Sequence, residues 1–326
     1  MLAVETIGLT KDYLAGFWRK RARRVLDGLC LRVEAGEVFG LLGQNGAGKT
    51  TTLKILLGLV YPTAGSARLL GRDFRDTAAH RNVGFLPENP YFYEHLTAQE
   101  FMHYAAALFG LSGRERARRA GLLLERVGLA SSGGVPLRKF SKGMVQRLGL
   151  AQALVNDPDL IFLDEPMSGL DPVGRREVRN LILDLKQEGK TVFFSTHILS
   201  DAETLCDRVA ILDHGRLQGC GELQEILKVG VSGTEIVLEK PGREVISSLE
   251  PHASSIVRTG NRVRLVLHAD VNITEILDAI IRSGARLVSL NPVQISLEDY
   301  FMQRVGNNAE SPEEAPAAAK ERGISE

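Results

Sequence analysis

The chain has 326 residues, and its 40 lysines and arginines balance 40 aspartates and glutamates, so its formal net charge is zero. This length suits one large domain plus a smaller one, and a neutral chain has no overall field that attracts nucleic acid, so no nucleic-acid partner is expected. The three cysteines, Cys30, Cys206 and Cys220, have no CxxC spacing, which argues against a disulfide framework or a zinc site.

Strand and helix patterns alternate along the first 212 residues. We predict strands at residues 2–7, 25–33, 37–42, 160–163, 191–195 and 208–212, and helical stretches at 49–57, from 97 to about 155, at 173–187 and at 198–206. A loop with Trp18 and a basic run at 19–24 joins the first two strands. The strands at 160–163 and 191–194 are continuously apolar, as expected when helices cover both faces of a parallel sheet.

A second unit begins near residue 231. Its predicted elements are a strand (235–239), a helix (243–249), two strands (255–258 and 262–268), a helix (273–282) and a strand (286–290). This β-α-β-β-α-β order is of the ferredoxin-like type. We therefore expect a small α+β domain over 229–306. The tail at 307–326 is rich in Pro, Ala, Glu and Ser and is expected to be disordered.

A glycine-rich turn after the third strand fits the phosphate-binding pattern GxxxxGK[ST]. It consists of Gly43, Gln44, Asn45, Gly46, Ala47, Gly48, Lys49 and Thr50, and the binding segment is extended to Thr51. Glycines let backbone N–H groups turn inward around phosphate oxygens, and the following helix N-terminus adds positive potential. Lys49 is predicted to reach the β- and γ-phosphates, and the Thr50 hydroxyl to bind Mg²⁺.

Two carboxylates, Asp164 and Glu165, follow the apolar strand at 160–163. An open α/β sheet binds its ligands at the carboxyl ends of its strands. Asp164 suits Mg²⁺ coordination, and Glu165 suits a general base that orients the attacking water. The strand at 191–195 leads into His197, which is predicted to contact the γ-phosphate or that water. Acids after an apolar strand, or a lone histidine, do not by themselves indicate a function. They indicate a nucleotide site here because the chain also contains a phosphate-binding turn in the same predicted sheet.

Residues 1 to about 228 resemble the ATP-binding subunit of ABC transporters. The stretch Phe140-Ser141-Lys142-Gly143-Met144 resembles the signature motif LSGGQ, Asp164-Glu165 resembles the Walker B motif, Ser168-Gly169-Leu170-Asp171 resembles the D-loop, and His197 resembles the switch histidine. The resemblance implies that the chain binds ATP and Mg²⁺ and hydrolyses ATP, with Lys49, Glu165 and His197 as catalytic residues.

In that family the signature motif of one subunit caps the γ-phosphate held by the other, so two ATP molecules lie within a head-to-tail dimer. The resemblance therefore assigns Ser141, Lys142, Gly143, Met144 and Asp171 to nucleotide binding and implies a homodimer. Ser141 and the Gly143 amide precede a predicted helix at 145–155, and a helix N-terminus is a natural anion site.

The motifs depart from the family pattern at three positions. Glu88 stands where the family usually has glutamine; its carboxylate can still ligate Mg²⁺, so we expect altered metal affinity or coupling and not a loss of activity. Lys142 replaces a glycine of the signature motif and adds a positive charge that helps to hold phosphate, and Met144 replaces its glutamine. The FSKGM form is frequent in ATPases that are paired with ABC-2 type exporter permeases.

The aromatic residue that stacks on adenine in the family is predicted to be Tyr13, and Trp18 is its rival. An exposed loop aromatic with no ligand is the alternative interpretation of Tyr13.

The expected fold is an α/β P-loop ABC ATPase core with an antiparallel β-subdomain, a helical subdomain at about 90–156 and a small C-terminal α+β domain. No apolar run approaches the ~20 residues that span a bilayer, so the expected partners are separate transmembrane permease subunits, and the expected location is the cytoplasmic face of the membrane.

Two alternatives to this function stay open. One is a soluble ABC ATPase that acts on nucleic acid or ribosomes, and the other is a regulatory module with little turnover. The single cassette and neutral charge argue against the first, and intact Glu165 and His197 against the second.

Overall fold

The computed structural model describes residues 1–15, 21–228, 231–294 and 297. The predicted tail at 307–326 and the residues Trp18, Arg19 and Lys20 of the predicted basic loop lie outside the described residues.

The elements are numbered in chain order. The strands are β1 (Leu2–Ala15), β2 (Arg21–Glu34), β3 (Val38–Leu42), β4 (Ala64–Leu69), β5 (Arg72–Asp73), β6 (Val83–Leu86), β7 (Leu160–Asp164), β8 (Thr191–Thr196), β9 (Arg208–Asp213), β10 (Arg216–Glu222), β11 (Val231–Glu239), β12 (Ala253–Thr259), β13 (Arg262–His268) and β14 (Arg286–Gln294). The α-helices are α1 (Lys49–Leu56), α2 (Ala98–Leu108), α3 (Gly113–Arg126), α4 (Lys142–Ala153), α5 (Pro172–Gln187), α6 (Leu199–Leu205), α7 (Leu223–Lys228), α8 (Arg243–Leu249) and α9 (Ile273–Arg282).

The central sheet has the strand order β10-β9-β3-β8-β7-β6. Strands β9, β3, β8, β7 and β6 pair in parallel, and β10 adds an antiparallel edge to β9. The register places Leu42 beside Thr196 and Asp164 beside Ser195. The ends of β3, β7 and β8 therefore meet at one edge of the sheet, as the apolar strand pattern predicts.

Alternate side chains of the central strands enter two different cores. One core lies against the helices and includes Val38, Ile161, Leu163, Val192 and Phe194. The other includes Phe39, Leu41, Phe162 and Phe193, together with residues of α1 and of the antiparallel sheet. Because successive side chains of a strand point to opposite faces, burial on both faces requires the uninterrupted apolar runs seen in the sequence.

The N-terminal sheet is antiparallel, with the order β2-β1-β4-β5. Its first hairpin is longer than predicted, because Arg21, Arg23 and Arg24 lie in β2 and not in a loop. Arg24 stands opposite Asp12 in the ladder, and its Nε donates a hydrogen bond of 2.9 Å to that carboxylate. Cross-strand pairs of opposite charge stabilise a ladder, so this polar stretch remains in the strand.

The helices α2, α3 and α4 occupy the predicted helical stretch. Thr97 and Glu100 form a capping box at the start of α2. Gly149 lets α4 approach the end of β6 closely, since a β-carbon there would lie 2.5 Å from Leu86 Cδ1 and 3.4 Å from Pro90 Cβ. This contact fixes the segment that carries Glu88 between the central sheet and the helices.

The C-terminal residues form a third sheet of order β12-β13-β11-β14, in which every neighbouring pair is antiparallel. Helices α8 and α9 contribute to its separate core, which includes Ile236, Leu265 and Ile280. The predicted β-α-β-β-α-β order is thus the order found. The chain then returns to the larger part of the molecule, where Leu297 is buried in the helical core and its N–H donates to Glu203 Oε1 at 2.8 Å.

Within the described ranges, no helix is long and apolar enough to cross a bilayer.

Candidate active site

A cleft of about 400 Å³ opens at the edge of the central sheet where β3, β7 and β8 end. Its lining consists of Val25, Gln44, Asn45, Gly46, Gly48, Lys49, Thr50, Thr51, Glu88, Glu165, Ser168 and His197. The topology of the sheet therefore brings most of the residues predicted from three separate motifs into one cavity.

The turn at residues 43–50 depends on its glycines. Gly48 has a φ of 112°, in the left-handed region that favours glycine, and a β-carbon there would lie 2.9 Å from the Val25 carbonyl oxygen. A β-carbon on Gly43 would overlap the Leu212 carbonyl oxygen. The turn can thus pack against β2 and β9 only where side chains are missing.

Lys49 is the first residue of α1, and only 6% of it is exposed. Its Nζ donates to the carbonyl oxygens of Gly43 at 2.7 Å and Gln44 at 3.2 Å. The same Nζ lies 3.2 Å from Glu165 Oε1. A buried ammonium group is tolerated when it is paired and hydrogen-bonded, so these three oxygens hold a cation in the cleft beside the phosphate-binding turn.

Asp164 ends β7, and its carboxylate is buried. Its Oδ1 accepts hydrogen bonds from Ser195 Oγ at 2.6 Å and from Thr50 Oγ1 at 3.3 Å. Hydroxyl and carboxylate oxygens are the ligands that Mg²⁺ prefers, and Mg²⁺ is usually held by one or two carboxylates plus water and phosphate oxygens. The described part of the chain has no cluster of three or more His, Cys, Asp or Glu residues that could enclose a metal ion. The Thr50 hydroxyl and the Asp164 carboxylate are oxygen groups of the kind that Mg²⁺ prefers, placed within hydrogen-bond distance of each other.

Glu165 follows Asp164 with a backbone φ of +49°, which is uncommon for a residue with a side chain and is often found at functional sites. Its N–H donates to Ser195 Oγ at 3.1 Å. Its Oε2 lies at hydrogen-bond distance, 2.9 Å, from His197 Nδ1. The carboxylate is thus fixed between an ammonium group and an imidazole inside the cleft.

Two residues of the cleft lining, Val25 and Ser168, were given no role in the sequence analysis. The same is true of Ser195, which lies behind the lining and hydrogen-bonds to Asp164 and Glu165. Ser195 carries a weak signal, because it is a polar residue near the end of an otherwise apolar strand. Val25 carries none, since it reaches the cleft only through the close packing of Gly48 on β2.

The predicted signature residues and Asp171 of the D-loop are not part of this cleft lining, whereas Ser168 of the D-loop is. Ser141 caps α4 by accepting a hydrogen bond from the Met144 N–H at 3.3 Å. Asp171 caps α5 in the same way, with the Gly174 N–H at 2.9 Å. Lys142 and Gly143 lie in the first turn of α4. Within one chain these residues do not join the cleft lining, so their assignment to nucleotide binding stays a prediction about a dimer.

Tyr13 also lies outside the described lining. It stands on β1 opposite Arg23, it is 38% exposed, and the Lys11 ammonium lies 4.9 Å from its ring centroid. Its stacking on adenine stays a prediction, and its rival Trp18 is not among the described residues.

Comparison with known proteins gives a consistent result. A family model described as ABC transporter matches residues 26–168. An ABC transporter ATP-binding protein of Synechocystis is 45% identical over 93% of this chain and 84% of its own length. Nod factor export ATP-binding protein I of Rhizobium is 34% identical over 95% of this chain and 99% of its own. A dimeric ATP-binding cassette solved with ADP and phosphate has a TM-score of 0.62 and 27% identity, over 68% of this chain and 98% of that one.

The cation in the cleft gives a direct test. Lys49→Ala removes the ammonium group and leaves the phosphate-binding turn and Glu165 without their buried positive charge. We expect ATP affinity to fall by about a hundredfold or more, because a charged hydrogen-bonding group is lost. Titration calorimetry with ATP measures this change. Lys54→Ala, on the exposed side of the same helix, is the matched control and should bind ATP normally. Equal affinity in the two variants would refute the role of Lys49.

Proposed function

The chain belongs to the ABC transporter family as an ATP-binding and ATP-hydrolysing subunit, and from this premise we propose that it works as a homodimer that uses MgATP to drive a separate transmembrane permease of the ABC-2 export type. The observation that carries the proposal is the Glu165 carboxylate, held in the cleft between Lys49 and His197. Such a carboxylate, next to a phosphate-binding turn, is what hydrolysis of a nucleoside triphosphate requires.

In the proposed reaction, water attacks the γ-phosphorus of ATP, a new P–O bond forms, and the bond to the bridging oxygen breaks so that ADP leaves. Glu165 accepts a hydrogen bond from the water and orients it, and His197 holds the Glu165 carboxylate and faces the same cleft. Lys49 and the backbone N–H groups of the turn balance the negative charge of the β- and γ-phosphates. Catalysis is thus mainly positioning and charge stabilisation.

The residues proposed to hold Mg²⁺ are Thr50 and Asp164, with Glu88 at the margin of the cleft. When bound, the ion neutralises charge on the phosphate oxygens. Glu88 places a further negative charge in this part of the cleft, so it tunes the affinity for the ion and is not required for it.

The proposed homodimer is head to tail. The N-terminus of α4, with Ser141 as its cap, presents backbone N–H groups at a site separate from the chain's own cleft. Such a helix end suits the phosphates of a nucleotide bound by a second copy. The dimeric cassette solved with ADP and phosphate supports a dimer by similarity.

The proposed permease contact is a groove of about 810 Å³ lined by residues of the α2–α3 region, the segment around His80 and the segment after α4. At the end of α2, Leu108 is 70% and Phe109 is 50% exposed. Adjacent exposed apolar side chains of this size are typical of protein interaction sites. The occupant proposed here is a cytoplasmic segment of the permease, which would place the chain at the cytoplasmic face of the membrane. The similarity to a Nod factor export protein supports the export direction.

Substitution of the proposed general base tests the enzyme assignment. Glu165→Gln keeps the shape of the side chain but removes its charge, so we expect kcat to fall by about a hundredfold or more. ATP binding should persist, and an ATP-bound dimer should accumulate on size-exclusion chromatography.

The matched control is Glu88→Gln, the same chemical change in the same cleft. This variant should retain hydrolysis and show a changed Mg²⁺ concentration dependence. Steady-state hydrolysis by Glu165→Gln at the wild-type rate would remove Glu165 from the mechanism.

The permease groove is tested by Phe109→Ser, which removes an exposed apolar side chain without touching the cleft. We expect unchanged ATP hydrolysis by the isolated protein, because Phe109 lies in the groove and not in the cleft lining. Co-purification from native membranes with a partner of about six apolar spans, each ~20 residues long, should be lost. Leu122→Ser, which changes a half-exposed leucine of α3 outside the groove, is the control. Loss of the partner in both variants, or in neither, would contradict the assignment of the groove.

A further inference from the structure

The start of α4 packs directly on the segment that follows Glu165. Gln146 is almost fully buried, and its Nε2 donates to the Pro166 carbonyl oxygen at 3.0 Å. A β-carbon on Gly143 would lie 3.8 Å from Leu170 Cδ2, which is ordinary van der Waals contact. One end of the helix therefore contacts both ends of the stretch at residues 166–170.

Lys142 makes the central contact of this interface. A β-carbon on Gly169 would overlap Lys142 Nζ and would lie 2.9 Å from its Cε and 3.4 Å from its Cδ. A side chain at position 169 would therefore have to displace the end of the lysine. Gly169 also has a φ of +68°, so glycine is favoured here by its backbone as well.

The contact is made by the outer part of the lysine side chain, in which Nζ lies nearest to the position of the added β-carbon and Cε and Cδ follow it. Lys142 is exposed, and its ammonium group has no hydrogen bond or ion pair with any residue in the described ranges. A lysine stem can pack on other groups while its charge remains in water. The packing on Gly169 therefore involves the Cδ and Cε methylene groups as well as the ammonium nitrogen.

Gly169 is connected to the reacting groups through one residue. Ser168 lines the cleft, and its N–H donates to the Glu165 carbonyl oxygen at 3.0 Å. A side chain that restrains Gly169 therefore also restrains Ser168 and the strained backbone of Glu165.

We propose that Lys142 is a positioning residue: its stem holds the segment at residues 168–171 against the start of α4 and thereby keeps Glu165 and Ser168 in place in the cleft. This role differs from the phosphate contact expected from the sequence, because it acts within one chain and through the methylene groups. Its effect on catalysis rests on the proposed ATPase mechanism, whereas its effect on the segment itself does not.

Hydrogen–deuterium exchange of the nucleotide-free full-length protein tests the contact directly. In Lys142→Ala we expect the amides of residues 167–171 to exchange about three- to tenfold faster, because local opening loses a packing contact. Lys142→Met keeps an unbranched stem without the charge and should exchange at the wild-type rate. Lys139→Ala, an exposed lysine just before α4, is the control. Wild-type exchange in Lys142→Ala, or equal acceleration in the alanine and methionine variants, would overturn the proposal.

Steady-state kinetics then tests the consequence for catalysis. Lys142→Ala should lower kcat about three- to tenfold, and Lys142→Met should restore most of kcat. If the methionine variant loses as much kcat as the alanine variant, the charge matters and the stem does not, which contradicts the proposal.

A double-mutant cycle with Gly169→Ala completes the test. The added methyl group of Gly169→Ala displaces the lysine only in a chain that has Lys142. The backbone strain that alanine causes at position 169 is the same in the wild type and in Lys142→Ala, so it cancels in the cycle. Gly169→Ala should therefore slow the wild type at least about threefold more than it slows Lys142→Ala. Additive effects would refute the coupling. A wild-type chain that hydrolyses no ATP would refute the proposed function, and the exchange experiment would still decide the contact.

Discussion

The proposed chemistry depends on one buried contact between opposite charges, that of Lys49 with Glu165. Each group by itself would be costly at this depth, and the pair is tolerated because the remaining atoms are partnered by backbone carbonyl groups and a histidine. The ammonium group comes from the helix after β3 and the carboxylate from the end of β7. They meet because β3 and β7 both pair in parallel with β8, so that their ends lie at the same edge of the sheet. Two backbone features help to form this contact. The glycines let the turn before Lys49 pack closely on β2 and β9, where a β-carbon would clash. Glu165 adopts a left-handed backbone conformation that is uncommon for a residue with a side chain.

Packed segments connect the cleft at this edge of the central sheet to the helices at the surface of the molecule. Residues after Glu165 pass beneath the first turn of α4, and α4 in turn packs on the end of β6 through Gly149, next to the segment that carries Glu88. That segment precedes α2, whose exposed end forms part of the proposed permease groove. A change at the phosphate end of the cleft can therefore reach a distant surface through closely packed contacts. Closely packed interiors are hard to compress, so a shift of one segment displaces the segments packed on it. This arrangement suits the proposed subunit, in which ATP hydrolysis moves a partner protein.

Much of the architecture could be predicted from the sequence, because its signals are local. Uninterrupted apolar runs indicated the buried parallel strands, and the phosphate-binding pattern fixed the position of the cleft. The order of elements in the C-terminal unit was also predictable, since its strand and helix patterns are short and clearly separated.

What could not be predicted depends on contacts between distant segments. Val25 lines the cleft only because Gly48 packs on it, and Ser195 supports Asp164 only because β7 and β8 are in a particular register. The first hairpin exceeds its predicted length for the same reason, since an exposed arginine pattern gives no sign of the aspartate opposite it. The position of Lys142 over Gly169 belongs to this group as well: the sequence pointed to a phosphate contact, and the structure shows the lysine side chain packed on Gly169.

Hydrolysis is proposed to require two chains, because the lining of each cleft lacks the signature residues that a second copy would supply. The most direct test is the ATPase rate per subunit, measured at saturating MgATP over a wide range of protein concentration. If the account is right, the rate per subunit rises steeply with concentration and then reaches a plateau, as expected for an active dimer in equilibrium with inactive monomers. A rate per subunit that stays constant down to concentrations at which light scattering shows only monomers would contradict it, because the cleft of a single chain would then suffice for catalysis.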